Sequence, residues 1–251
     1  MSLKVLCLNI FEGGLFWENI EKFIQRENPD ILCLQEVCDA DETQPLNFQS
    51  IKRLKALLPD FYFYYSPEIH EVWPKGSGDG GNAIFSRFPI SQQKTIFLHN
   101  QYDKYIRPGD EKDFSHYPKN LQHVLVDVQG TFLHVFNMHG IWGLDGGDTP
   151  ERLRMSELIV QEISGKTPAV FMGDFNLKPN TQTIQNIEKH MINVFKNEMK
   201  SSFNMRHKTN PGYATAVVDM FFATSDINIL SKSVPNDDVS DHLPLLCELE
   251  V

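Results

Sequence analysis

No stretch of this chain approaches the roughly 18 consecutive apolar residues needed to cross a bilayer, so a membrane-spanning helix is not expected. Cysteine is scarce. Cys7, Cys33, Cys38 and Cys247 show no paired spacing of the kind that holds zinc, and Cys7, Cys33 and Cys247 lie in apolar runs where cysteine behaves as a small hydrophobe. All four read as structural or incidental, and an intracellular chain would keep them reduced. Positive charge is also short: 23 Lys and Arg stand against 33 Asp and Glu, a formal net charge of −10. That argues against a protein living on nonspecific contacts to nucleic-acid phosphates, which needs a basic footprint. A phosphate-bearing substrate stays open if a divalent cation supplies positive charge locally. Residues 1–9 enter strand-like sequence without a charged-then-apolar leader, so no secretion signal is visible and a cytoplasmic location is expected. With no internal linker and no low-complexity segment, residues 1–251 are expected to form a single domain and a monomer.

What the chain does have is a succession of short apolar runs, several of them closed by a polar residue. Residues 4–9 read as a buried central strand ending in Asn9, and residues 31–35 as another that delivers Glu36. Between them Trp17, Ile20, Phe23 and Ile24 mark one face of a helix over 17–27. Phe48, Ile51, Leu54 and Leu58 mark a second helix over 48–58, stopped by Pro59. Consecutive aromatics at 61–65 predict a strand, 66–81 a glycine-rich loop with Trp73 near its middle, and 82–86 and 90–98 two further strands. Residues 99–120 lack periodicity and are expected to be a long loop or hairpin arm. The runs 121–128 and 131–138 alternate around Gln129-Gly130 as a hairpin does, and the second ends in His139. Thr149 and Pro150 open a helix with the stripe Met155, Leu158, Ile159 and Ile163. A buried strand over 169–172 follows, after which Gly173 lets the backbone turn and Asp174 and Asn176 stand beyond it. A short helix over 181–190 and a loop over 196–212 lead to strands at 217–223, with Asp219 inside it, 227–234 and 245–251.

The polar residues at these strand ends are Asn9, Glu36, His139, Asp174, Asn176, Asp241 and His242, with Asp219 among apolar neighbours. In a layered α/β domain such ends converge on one crevice. Each residue also has an ordinary explanation: Asn9 as a cap, Glu36 as a surface acid, either histidine as a hydrogen-bonded core residue. Asp219 resists that treatment, because a carboxylate within Val218–Phe222 needs a partner, and a histidine nitrogen is the obvious one. Three carboxylates and two amides without cysteine favour a hard cation, Mg²⁺ or Mn²⁺, over zinc.

Leu34-Gln35-Glu36-Val37, Gly81-Asn82-Ala83-Ile84-Phe85-Ser86-Arg87, Asn137-Met138-His139, Gly173-Asp174-Phe175-Asn176, Val218-Asp219-Met220-Phe221-Phe222 and Ser240-Asp241-His242 follow one another along nearly the whole chain. In order and spacing this series resembles the endonuclease/exonuclease/phosphatase superfamily, the deoxyribonuclease I-like metal-dependent phosphoesterases. The resemblance implies a four-layer α/β/β/α sandwich of two packed, mainly antiparallel sheets. It implies Glu36 as principal metal ligand, with Asn9 beside it and Asp241 sharing the coordination. It also implies Asp174 as the group that orients and deprotonates the attacking water, Asn176 and His242 as phosphate contacts, and Asp219 as the residue fixing the His242 tautomer. His139 falls where the family places a residue that contacts the phosphate or assists the leaving oxygen. One departure is Met138, where many members carry threonine before the histidine, a change that bears on fine positioning.

Substrate is far less legible. The expected class is a phosphorylated compound: nucleic acid, nucleotide or phospholipid headgroup. Trp73 and Trp142 suit stacking on a base or entry into a headgroup layer, although tryptophans in such loops more often anchor the loop. Lys196, Lys200, Arg206 and Lys208 in the loop before Asp219 suit a grip on a remote phosphate or plain solvation. The working expectation is a hydrolase for a small or single-stranded phosphoester. A membrane-surface lipid phosphodiesterase of sphingomyelinase type, a nuclease on DNA or RNA, and a binding module without chemistry are the alternatives.

Overall fold

A computed structural model describes residues 1–74, 76–108 and 112–251. At its centre β1 (Ser2–Asn9) and β2 (Ile31–Asp39) pair in parallel, Val5 against Ile31 through Asn9 against Gln35. Strands covered on both faces need apolar side chains in both directions, which is why neither run alternates with polar residues. Val5, Cys7, Ile31 and Cys33 point into a core between two sheets, whereas Leu6, Leu8, Leu32 and Leu34 face the other way. There they meet Ile20, Phe23 and Ile24 of α1 (Trp17–Glu27) and Ile51 and Leu54 of α2 (Ser50–Leu57).

The first sheet runs β12 (Asn228–Ser233), β13 (Leu245–Glu250), β1, β2, β4 (Gly76–Ser86), β3 (Tyr62–Trp73), β6 (Asp103–Ile106). The second runs β10 (Ile192–Asn193), β11 (Asp219–Ala223), β9 (Ala169–Asp174), β8 (Thr131–His139), β7 (Lys119–Val128), β5 (Ile90–His99). Both are mixed, with parallel pairs β1/β2, β3/β6 and β8/β9 among antiparallel ones. From the second sheet Val124, Val135, Val170, Met172 and Phe221 complete the central core. Phe136, Met138 and Phe171 pack outward on Met155, Ile159 and Ile163 of α3 (Pro150–Ile163) and on Ile184 and Ile187 of α4 (Gln182–Glu188). The architecture is thus the α/β sandwich that the family resemblance implies, with both sheets mixed.

Three local expectations change. The segment 66–81 is strand on both sides of its turn, since β3 and β4 form a long hairpin pairing Tyr62 with Ser86 through Trp73 with Gly76. The segment 99–120 contains β6 and the start of β7. Lys75 and residues 109–111, which fall in these two segments of the sequence, lie outside the described residues. Gly173 belongs to β9 and makes no turn; a Cβ there, at φ 155°, would come within 2.0 Å of the Met138 carbonyl oxygen, so the requirement is close approach of β8.

Toward one end of the sandwich the central core gives way to amides. Gln35 Nε2 donates to Asn137 Oδ1 at 2.6 Å, and Asn137 Nδ2 donates to Gln122 Oε1 at 2.9 Å and to the Leu34 and Ala83 carbonyls at 3.1 and 3.2 Å. Gln122 in turn donates to the Tyr64 and Asn82 carbonyls. This ladder stitches the sheets together where both are fully buried, so breaking it strands several polar groups. Asn137→Leu is expected to cost about 2–4 kcal/mol, at ~1–3 kcal/mol for each strongly stranded group. In thermal unfolding that corresponds to a Tm fall of roughly 5–15 °C for a chain of this size. A fall of less than about 2 °C would show that the ladder carries little of the sheet packing.

Candidate functional site

The amide ladder leads to a cleft of about 470 Å³ lined by Glu36, His139, Asp174, Asn176, Asp241 and His242. Register brings the residues together. Asp174 closes β9, facing His139 across the parallel pair with β8 and Asp219 across the antiparallel pair with β11. Asp219 opens its strand and does not lie within it, which frees its side chain for the cleft end. His242 reaches the same point from the chain just before β13, through an antiparallel bridge to Phe203.

Glu36 owes its position to a bulge. The pairing of β2 with β4 slips between Leu34 and Val37, and Glu36 sits at φ 57°, a left-handed conformation that costs a non-glycine residue energy. The slip turns its carboxylate out of the pleat. Oε1 accepts a hydrogen bond from Asn9 Nδ2 at 3.0 Å, and Oε2 accepts one from the Glu12 backbone N–H at 2.8 Å. Asn9 bridges, since the same Nδ2 donates to Asp174 Oδ2 at 3.2 Å while its oxygen accepts from the Phe11 N–H at 3.0 Å. Its amide nitrogen therefore faces the carboxylates, an orientation assigned from the hydrogen bonds.

Asp174 is the most surrounded group. Oδ1 accepts from the Asn176 backbone N–H at 2.9 Å, and Oδ2 lies 3.5 Å from His139 Nε2 and 3.7 Å from His242 Nε2. Burial pushes its carboxyl up, the Asp219 carboxylate adds to the rise and His242 opposes it, leaving it at about 7. His242 Nδ1 pairs with Asp219 Oδ2 at 2.8 Å. Burial pulls that imidazole down, but Asp219, Asp174 and Asp241 together outweigh it and hold it up at about 10. His139 goes the other way, held well below the usual range by burial, with Lys119 and His242 adding to the fall. Asn176, itself at φ 54°, donates one side-chain N–H to the Gly140 carbonyl at 3.2 Å.

Every sequence-predicted site residue lines this cleft or touches a residue that does, including Glu36 and Asp241 from segments about two hundred residues apart. Asp174, Asp219 and His242 bring possible ligand atoms within 4.8 Å of one another, an acidic and histidine group able to hold a metal ion. Within that group the Asp219–His242 pair is closed by its own hydrogen bond.

Lys208, from the loop expected to grip a remote phosphate or to be solvated, places Nζ 2.5 Å from Asp241 Oδ2 in the cleft itself. Other residues were not foreseen. Lys119 and Glu68 form a buried ion pair at 3.4 Å in the cleft wall, with Glu68 also accepting from Asn82 and the Asn120 N–H. Buried Arg152 donates to the Ile141 and Asn176 carbonyls and so ties the loops after His139 and Asp174 together. Only spacing of two between Asn120 and Gln122, and between Asn137 and His139, hinted at a polar face inside the sandwich.

A family model for the endonuclease/exonuclease/phosphatase family matches residues 12–242. The chain belongs to that family. Its members are hydrolases acting on phosphoesters. The uncharacterised protein YbhP of Escherichia coli (strain K12) is 29% identical over 184 residues, covering 70% of this chain and 67% of its own length. Among solved structures, the endonuclease/exonuclease/phosphatase from Bacteroides vulgatus superposes with TM-score 0.74 at 19% identity, over 100% of this chain and 99% of that one. A mannosyl-6-phosphatase of Bacteroides thetaiotaomicron VPI-5482 superposes with TM-score 0.73 at 20% identity, over 99% of this chain and 100% of its own. At such identities the structural likeness speaks for the fold. No described helix is long and apolar enough to cross a membrane.

Proposed function

We propose that this family member is a divalent-metal-dependent phosphoesterase that cleaves its substrate by in-line attack of water, working as one catalytic domain over residues 1–251. The register of β8, β9 and β11 carries the reading, because it sets Asp174 between two histidines with Asp219 backing one of them. A buried carboxyl raised toward neutrality is matched to accepting a proton from water at ordinary pH. His242, kept protonated by Asp219, presents its Nε2–H and a positive charge where phosphate charge grows. Neutral His139 faces Asp174 from the other side and serves a phosphate or leaving oxygen as hydrogen-bond donor. Asn176 has one amide N–H left for a phosphate oxygen after its bond to Gly140. Glu36 and Asp241 would hold Mg²⁺ or Mn²⁺, with Asn9 orienting Glu36 and ligating only if its amide turns over. When bound, that cation supplies Lewis-acid neutralisation of the phosphate.

The cleft volume suits a compact phosphoester, and the mannosyl-6-phosphatase among the similar structures makes sugar phosphates the first compounds to try. DNA, RNA and nucleotides are the rival substrates. A sphingomyelinase-type lipid reading loses ground, because it needs an exposed apolar loop at Trp73. That ring instead packs edge-on to Phe48 at 4.9 Å and under the Arg107 guanidinium at 4.6 Å. A cytoplasmic monomer remains the expectation. The test is a panel of sugar phosphates, nucleotides, single-stranded DNA, RNA, phosphoinositides and sphingomyelin, each assayed with Mg²⁺ and with excess chelator. Hydrolysis of at least one compound is expected with Mg²⁺ and none in chelator; full activity in chelator would remove the metal from the mechanism.

A further inference from the structure

One wall of the cleft is built from the end of β3, the chain just after β6 and the loop that follows His139, and it holds groups that the hydrolysis leaves idle. Glu71 and Trp73 belong to β3, and Arg107 is pinned beside them by its N–H, which donates to the Val72 carbonyl at 2.8 Å. The Arg107 guanidinium lies over the rings of Trp73 and Phe114, 4.6 and 4.7 Å from their centroids, which holds the fork in place. Phe114 in turn meets Trp142 edge-on at 5.6 Å. Glu71 Oε2 stands 4.0 Å from Arg107, beyond hydrogen-bond reach, and the two side chains keep 16% and 20% of their surface open. An acceptor and a donor thus lie side by side in the cleft without using each other up.

Charge along the cleft is balanced locally. Among the described residues that line it, Lys119 pairs with Glu68 at 3.4 Å, Lys208 with Asp241 at 2.5 Å, and Arg107 has Glu71. Lys178, exposed at the rim, is attracted by Asp145. A second phosphate on the substrate would therefore meet a cation that already has its carboxylate. Polyanions are held by surplus Lys and Arg along their path, and this wall has no surplus.

What the wall does offer is a donor fork, a carboxylate and aromatic surface. A hydroxyl both donates and accepts, so neighbouring hydroxyls on one ring satisfy Glu71 and Arg107 together. Trp142, half-buried and three residues beyond His139, supplies apolar surface for the C–H groups of that ring. A flat nucleobase is served less well, because it stacks best between parallel faces. The ring pairs of this wall, Phe48 with Trp73 and Phe114 with Trp142, cross at 81° and 88°.

We propose that Glu71, Arg107 and Trp142 form a leaving-group subsite for an uncharged, hydroxyl-bearing ring, so that the substrate is a sugar carrying a single phosphate. This rests on the phosphoesterase reading above and narrows it to monophosphates of sugars, against nucleic acids and bisphosphates. In the reaction a water oxygen bonds to phosphorus, the ester P–O bond breaks, and the departing sugar oxygen takes up a proton. The three residues touch none of the reacting atoms; they set specificity.

The experiment is steady-state hydrolysis by the full chain with Mg²⁺. The compounds are glucose 6-phosphate, mannose 6-phosphate, fructose 1,6-bisphosphate, adenosine 5′-monophosphate, a single-stranded DNA oligonucleotide and p-nitrophenyl phosphate. The better hexose monophosphate is expected to exceed the bisphosphate, the nucleotide and the oligonucleotide in kcat/KM by about tenfold or more, the worth of one or two charge-assisted hydrogen bonds. Glu71→Gln, Arg107→Lys, Trp142→Ala and Trp142→Phe are then compared after thermal unfolding confirms which are folded. In the first three, the ratio of kcat/KM for the hexose monophosphate to that for p-nitrophenyl phosphate should fall by about tenfold, with the change carried by KM. Trp142→Phe keeps an aromatic face and should recover most of the ratio, a rescue that a merely structural tryptophan would not give. If Trp142→Ala does not fold, Glu71→Gln and Trp142→Phe decide. The proposal is overturned if the bisphosphate, the nucleotide or the oligonucleotide is cleaved as well as the hexose monophosphates, or if the ratio stays near its wild-type value in every folded variant. Either result leaves the phosphoesterase reading standing, whereas no hydrolysis of any compound removes both.

Discussion

Asp174→Asn should lower kcat/KM by about a hundredfold or more, the scale of losing a positioned general base, and it should do so without damaging the fold. The two halves of that expectation come from one cause. The folded-state value of the Asp174 carboxyl, about 7, lies above its ordinary 3.8, so the protonated form favours the fold. Its contribution to stability is complete below about 4 and is lost as pH rises through about 7. An asparagine of the same shape carries no charge to bury, so Tm at pH 8 should hold or rise while activity collapses. The same titration sets the acid side of the wild-type profile: kcat/KM should climb as the carboxyl ionises, with a midpoint near 7, or lower where a bound cation favours the carboxylate. Activity within threefold of wild type, or a loss matched by a drop in Tm, would take Asp174 out of the proton transfer.

The strand ends were readable in the sequence because β1, β2 and β9 are buried on both faces and their apolar runs stop where the cleft begins. Each run announced the polar residue it delivers, and those residues converge. The hairpin of β3 and β4 was hidden for a physical reason. Its second strand opens as Gly76-Ser77-Gly78-Asp79-Gly80-Gly81, which carries no alternation and low strand propensity. Glycine is needed there because backbones approach closely: a Cβ on Gly81 would lie 2.2 Å from the Ser66 carbonyl oxygen. Lys208 was hidden differently. In a polar loop nothing local separates a lysine that meets an aspartate thirty-three residues later from one that meets water. The amide ladder also escaped notice, since Gln122 and Asn137, opposite each other on β7 and β8, meet Gln35 and the backbone carbonyls of the first sheet only once the two sheets are stacked.

The pairing of His242 with Asp219 predicts the second large effect. Asp219→Asn keeps the shape of the pair but removes the nearest of three carboxylates that hold the imidazole up at about 10. Burial then acts with less opposition, and the folded-state value of His242 must fall. In wild type the raised value means that the charged ring stabilises the fold fully below its ordinary 6.5, with the contribution lost as pH rises through about 10. Activity that needs the protonated ring should follow the same group and fall on the alkaline side near 10. In Asp219→Asn that alkaline limb should move down by at least one pH unit, and kcat/KM at pH 8.5 should drop by roughly a hundredfold to ten-thousandfold, the range for disabling a histidine by removing the carboxylate that fixes its tautomer. At pH 6, where the ring can still be charged, the deficit should be smaller. A pH-independent loss would assign Asp219 to packing, and an unmoved alkaline limb would separate His242 from the charge that receives the phosphate.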